Sequence, residues 1–153
     1  MKTLDIKSDL IPVDIKNKIM EIESAMRKSD VSLGEDPFPL KHTFTPGIYC
    51  REINVPCGML VVTKIHKTEH VVFLLKGDVS ILSEMGISRI KAPYYMISPV
   101  GAKRVVYTHE DTVWVNIHAN PENSLDIKEL ENKIIAKDYK EVELCHGLES
   151  LPQ

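Results

Sequence analysis

Residues 59–83 read MLVVTKIHKTEHVVFLLKGDVSILS. Valine, isoleucine, leucine and phenylalanine fill this stretch, and Gly77-Asp78 breaks it with a turn signal. Short strands joined by tight turns have this signature. Working outward, the same character runs from residue 49 to residue 118. Strands are predicted at 49–55, 59–66, 70–76, 79–83, 88–90, 94–98, 103–108 and 112–118. Turns fall between them at 56–58, 67–69, 77–78, 84–86, 92–93, 99–101 and 109–111. Eight strands in about 70 residues, with no helical period between them, predict a mainly β protein: an antiparallel sandwich or closed barrel rather than a parallel α/β sheet.

The flanks read differently. Ile15, Ile19, Ile22 and Met26 fall on one stripe of a 3.6-residue period, with Pro12 near its start, and predict an N-terminal helix that packs on its own domain. Pro37, Pro39 and Pro46 with Gly34 and Gly47 predict an extended linker. After the strands, Ser124 is placed to cap a helix beginning at Leu125, with Ile127, Leu130 and Ile134 on one face and a Glu129–Lys133 pair on the surface. The residues after Asp138 read as a short polar tail. The organisation expected is therefore helix and linker over 1–48, barrel over 49–120, and helix and tail over 121–153.

Composition narrows the function. The 19 basic and 22 acidic residues give a net charge of −3, so bulk nucleic-acid binding, which needs a clustered basic face, is not expected. No apolar run approaches the ~20 residues of a membrane span, and the N-terminus shows no secretory signal. Cys50, Cys57 and Cys145 are an odd number, which fits a reducing cytoplasm better than a disulfide framework; Cys50 and Cys57 are expected to pack as small apolar groups.

The strongest chemical feature is His66-Lys67-Thr68-Glu69-His70. On an unbroken strand, residues four apart share a face, so Lys64, His66, Thr68 and His70 would line one wall. Two neutral imidazoles on one wall can share a metal. Glu69 would face the other way. On the last strand, Trp114, Asn116 and His118 alternate with Val113, Val115 and Ile117, which gives one apolar face and one with the composition of a pocket wall.

These segments resemble the cupin motifs. The first, Gly-x5-His-x-His-x3–4-Glu-x6-Gly, is met by Gly58, by His66 at its second histidine, by His70 at its glutamate and by Gly77; Lys64 stands at its first histidine. The second, Gly-x5-Pro-x-Gly-x2-His-x3-Asn, is met by Pro99-Val100-Gly101, with Arg104 for the histidine and Thr108 for the asparagine. The resemblance covers roughly residues 45–120, and its flavour is similar to short cupin-domain proteins encoded by bacteriophages. It implies an antiparallel jelly-roll barrel with the site inside, a divalent transition metal, and assembly into homo-oligomers. It chooses no activity, because cupins include dioxygenases, isomerases, epimerases, sugar-binding and storage proteins.

The departures divide the functional readings. In one, His66, His70 and His118 hold a metal with open positions. In another, the barrel binds an anionic small molecule: Arg104, Lys64 and Lys103 pair with its charge, Tyr107 and Trp114 stack on its body, and Asn116 lines the pocket. In a third, the site is vestigial and the protein is an oligomeric scaffold or interaction protein. Whether a substrate is turned over stays open. So does the register: a tight turn at 109–111 sets Tyr107 opposite Trp114 and Lys103 opposite His118, whereas the motif alignment aims Arg104 inward, and a bulge would reconcile the two.

Overall fold

The structure, a computed structural model, describes residues 11–34, 36–83 and 85–147. Helix α1 (Ile11–Arg27) is followed by strands β1 (Leu40–Thr45), β2 (Gly47–Val55), β3 (Leu60–Val62), β4 (Ile65–His66), β5 (His70–Lys76), β6 (Asp78–Ser83), β7 (Gly86–Lys91), β8 (Tyr94–Ser98), β9 (Val105–Thr108) and β10 (Thr112–Asn120). Helix α2 (Ile127–Ile134), strand β11 (Ile135–Ala136) and helix α3 (Tyr139–Gly147) complete the described chain.

Nine strands form two facing antiparallel sheets, in the orders β1-β2-β10-β5-β8 and β3-β9-β6-β7, and β4 and β11 form a separate two-stranded pair. Each sheet contributes one face to a shared apolar core: Val72, Leu74 and Trp114 from the first, Val79, Ile81 and Val106 from the second. This is the expected mainly β jelly roll with helices before and after it. The alternation in the sequence sets which side chains enter: on β10, Trp114, His118 and Asn120 are buried while Val113, Val115 and Ile117 are only half-buried.

The prolines were read as a linker, but Pro39 and Pro46 bracket a strand. Leu40, His42 and Phe44 of β1 alternate with exposed residues, and β1 pairs with β2 as the edge of its sheet, where flanking prolines cost no ladder hydrogen bonds. The strand expected over 59–66 is broken in two, and the chain is not continuous strand from Lys64 to His70. β3 pairs with β9, β4 pairs with the distant β11, and β5 begins afresh at His70. No hairpin joins β9 to β10: β9 pairs with β3 and β6, whereas β10 pairs with β2 and β5. The register conflict between Arg104 and His118 therefore disappears, because β9, which Arg104 immediately precedes, and β10, which carries His118, belong to opposite sheets.

The helices close the barrel. Ile19 of α1 is buried, and Glu23 reaches Lys103 Nζ at 2.5 Å, so the buried Lys103 is held by the N-terminal helix. Helix α2 starts two residues later than the sequence implied. Its N-cap is Asp126, which accepts the Glu129 N–H, while Ser124 donates its hydroxyl to the Glu129 carboxylate. Leu130 and Ile134 bury against Tyr49. The expected polar tail contains α3, whose Val142 packs on Ile65 and Ala136. Lys16 lies 4.8 Å over the Tyr139 ring and joins α1 to α3. Cys57 is exposed rather than packed, and its thiol reaches the His109 carbonyl.

Gly77 between β5 and β6 has φ +113°, and a Cβ there would sit 2.5 Å from Thr112 Oγ1 and 3.0 Å from Thr112 Cα. Gly77→Ala is expected to cost on the order of 2–3 kcal/mol, because both backbone strain and a clash with main chain oppose it. Urea denaturation measures it, and an unchanged midpoint would contradict the tight approach.

Candidate metal centre

Two consecutive strands, β4 and β5, and the distant β10 bring His66, His70 and His118 together. His66 ends β4, its backbone paired with Ile135 and its carbonyl accepting the Gly101 N–H at 2.8 Å. His70 opens β5 opposite Ser98 of β8. His118 lies on β10 opposite Tyr49 of β2. The ring centroids are 4.5 Å (His66–His70), 4.4 Å (His70–His118) and 5.6 Å (His66–His118) apart. One ring nitrogen from each can be chosen so that all lie within 4.8 Å of one another, and all three residues are buried.

The electrostatics keep the three rings neutral. Burial, then the neighbouring His70, His118, Arg51 and Arg104, pushes His66 down to about 2. Burial, then His70 and Arg51, pushes His118 down to about 3. Burial also lowers His70, against hydrogen bonds from Thr68 and Asn116 that raise it. Neutral imidazoles offer lone pairs, which metal ligation needs. His66 Nε2 and both ring nitrogens of His118 are buried without a hydrogen-bond partner. Orphaned buried nitrogens cost stability and call for a partner. A cation between the three rings would satisfy them, so the donor set fits a metal.

The His70 surroundings point the same way. Its Nδ1 lies 3.0 Å from the Thr68 carbonyl and its Nε2 3.2 Å from Asn116 Oδ1. A neutral ring carries one N–H, so it donates to only one of these two oxygens; donation to Thr68 puts the lone pair on Nε2, where Asn116 must turn its amide aside for a metal to bind. Metal-ligating histidines are oriented in this way by an outer carbonyl.

The structure sorts the other residues named from the sequence. Asn116 faces inward and reaches His70. Arg104 is buried, and its Nη1 donates to Ser98 Oγ at 2.9 Å. Lys64 does not join the site: it lies on the surface, paired with Asp36 at 2.7 Å, because the chain breaks between β3 and β4. Tyr107 is also outside, 41% exposed and edge-on to His109, since Val106 takes the inward phase of β9. Trp114 is no stacking platform; it is core. Lys103 is engaged by α1. Thr68 and Glu69 are exposed on the turn between the two histidines.

One residue was missed. Arg51 on β2 is only 6% exposed; its Nη2 donates to Glu131 of α2 at 3.1 Å, and its Nε is buried with no hydrogen-bond partner. Its charge bears on all three histidines and on the buried Tyr49 hydroxyl, which meets His42 Nδ1 at 2.7 Å. The signal was present in the sequence: Tyr49, Arg51, Ile53 and Val55 alternate in one phase. An arginine in the buried phase of a barrel strand marks an interior charge.

A cleft of about 240 Å³ opens between β7 and β8, lined by Ile81, Ile90, Tyr94 and Met96 and ending on Arg104.

The resulting class of protein is a barrel with an internal imidazole cluster. Among solved structures, a salicylate 1,2-dioxygenase from Pseudaminobacter salicylatoxidans aligns with 80% of this chain and 35% of its own, at TM-score 0.51 and 10% identity. A cupin domain from Bordetella pertussis aligns with 54% of this chain and 93% of its own, at TM-score 0.43 and 17% identity. KdgF from Halomonas sp. aligns with 60% and 84%, at TM-score 0.47 and 14% identity. No protein-family model and no curated protein matches the sequence. The chain has the cupin fold.

Proposed function

We propose that this chain binds a divalent transition metal through His66, His70 and His118 and uses the positions the protein leaves open to bind a small molecule. The observation that carries this reading is the set of three buried imidazoles whose ligand atoms lie within 4.8 Å of one another, with orphaned nitrogens on His66 and His118. Three protein ligands leave room for an exogenous one, as in catalytic rather than structural sites, and imidazole donors suit zinc, iron, nickel or copper. When bound, such an ion supplies Lewis acidity to whatever oxygen it holds. The protein's own groups orient the ligands: the Thr68 carbonyl fixes the His70 tautomer, and Asn116 and Arg104 line the interior.

Elemental analysis and native mass spectrometry of protein purified without added metal test this. About one transition-metal ion per chain is expected, lost in His66→Ala and in His118→Ala. Protein that stays metal-free after dialysis against zinc, nickel and ferrous salts would overturn it.

A second reading, an oligomeric scaffold, is favoured by the outer face of the five-stranded sheet. There Val71, Leu75, Tyr95 and Ile97 stand exposed on adjacent strands, with Val71 opposite Ile97. Apolar surface of this kind marks an interface, and a second copy of the chain is its proposed occupant. Ile97→Lys is expected to convert a homo-oligomer to monomer in sedimentation velocity. An oligomer indifferent to both His66→Ala and metal would favour the scaffold over the metal site. No helix among the described residues is long and apolar enough to cross a membrane. The free cysteines support a reducing, cytoplasmic setting as part of the proposal.

A further inference from the structure

We infer that Ser80 and His109 form a nucleophilic site on the outer face of the four-stranded sheet, with Ser80 as acyl acceptor and His109 as its general base, and that its substrates are small carboxylic esters. This site lies outside the barrel and does not depend on the metal.

The register of the sheet builds the pair. β6 lies beside β9, with Ser80 across from Tyr107 and Val79 across from Thr108. Val79 is fully buried, so strand alternation turns Ser80 to the outer face. Past the end of β9, the His109 N–H donates to the Asp78 carbonyl at 2.8 Å and carries the ladder one residue further. Ser80 Oγ and His109 Nε2 are then 2.7 Å apart, and both residues are half-buried. The two lie 29 residues apart in the chain, so no local motif marks them.

A serine hydroxyl is a weak nucleophile until a base stands within roughly 2.6–3.2 Å of its oxygen. With the ring proton on Nδ1, His109 Nε2 accepts the Ser80 hydroxyl at such a distance. Arg89 lies directly across from Ser80 on β7. Its Nε and Nη2 donate to the two carboxylate oxygens of Asp78, which holds the guanidinium in place and leaves Nη1 without a partner among the described residues. An oxyanion forming over Ser80 therefore has a fixed cation beside it. The Asp78 carboxylate also acts on His109 through its charge, which favours the imidazolium that proton transfer creates. On the other side, Tyr107 stands edge-on to His109, with ring centroids 4.9 Å apart, and the exposed Leu60 lies across from Tyr107 on β3. These two side chains give the acyl group an apolar surface.

In the reaction, Ser80 Oγ bonds the acyl carbon as its proton passes to Nε2. The ester C–O bond breaks, and His109 protonates the departing alkoxide. Water then attacks the acyl-serine with His109 as base, releasing the carboxylic acid and restoring Ser80.

The probe is a fluorophosphonate, which labels activated serines, applied to the full-length protein and mapped by peptide mass spectrometry; p-nitrophenyl acetate reports turnover. One adduct on Ser80 is expected, absent in Ser80→Ala. Turnover should fall by at least about tenfold in Ser80→Ala and in His109→Gln. Dialysis against EDTA should leave it unchanged. Where His109→Gln fails to fold, the wild type and Ser80→Ala decide. No adduct overturns the site, as does an adduct on Cys57, the exposed thiol that reaches the His109 carbonyl. Turnover lost with EDTA belongs to the metal centre and also overturns it. A folded His109→Gln that labels like the wild type removes His109 as the base and reduces the pair to a structural hydrogen bond.

Discussion

Taken from pH 7 to pH 5, the metal-free protein is expected to lose about 4 kcal/mol of stability from His66 and His118 together. Both have folded-state values held far below the ordinary 6.5, at about 2 and about 3, chiefly by burial. The unfolded chain therefore takes up protons below about pH 6.5 that the folded chain refuses. Their contribution is intact above pH 6.5 and falls with pH toward the folded values. His70, also lowered, adds to the same loss. The carboxylates of Asp78, Glu129 and Glu141 are lowered too, so they weaken the fold in the same direction but only nearer pH 4. A loss of this size is a large fraction of the ~5–15 kcal/mol that holds a domain together. Urea melts at pH 7, 6 and 5 measure it. Saturating metal should raise the whole curve, by about 4 kcal/mol at a thousandfold excess over Kd. Its advantage shrinks in acid as protons compete for the nitrogens. Equal stability at pH 7 and pH 5 without metal would contradict the burial of the three rings.

The second large effect is Trp114→Ala. The indole is packed among Val72, Leu74, Val79, Ile81 and Val106, with Ile53 and Met96 against them. Removing it is expected to cost about 3–5 kcal/mol, since the two sheets cannot collapse fully over the void. For a domain of this size that lowers Tm by roughly 10 °C. A variant that melts normally would contradict this packing and return Trp114 to the ligand wall.

The barrel was legible because most of its strands carry a two-residue period between clear turns, and the inward set on β10 followed from that alternation alone. His66, His70 and His118 were identifiable as one site because the cupin-like spacing supplied two of them and the phase of β10 the third. What failed was pairing between distant segments. Lys64 was placed beside His66 on the assumption of one continuous strand, and the break between β3 and β4 removes it. Tyr107 was placed opposite Trp114 on the assumption of a hairpin, but the turn at 109–111 passes the chain to the other sheet. Neither event leaves a local mark in composition. Arg51 was missed for a different reason: a lone arginine among strand residues reads as solvated surface unless its phase is followed.

His66 deserves a last consequence. Its strand has no neighbour among the residues near it in sequence; β4 pairs only with β11, and the Lys67 N–H is taken by the Ile134 carbonyl at 2.7 Å. On a ribosome, the barrel strands through β10 emerge first, while β4, which carries His66, still lacks its strand partner β11. The centre is therefore completed late in synthesis, when α2 and β11 arrive. If the cluster holds the proposed metal, a nascent chain that has built its two large sheets would compete poorly for it until then.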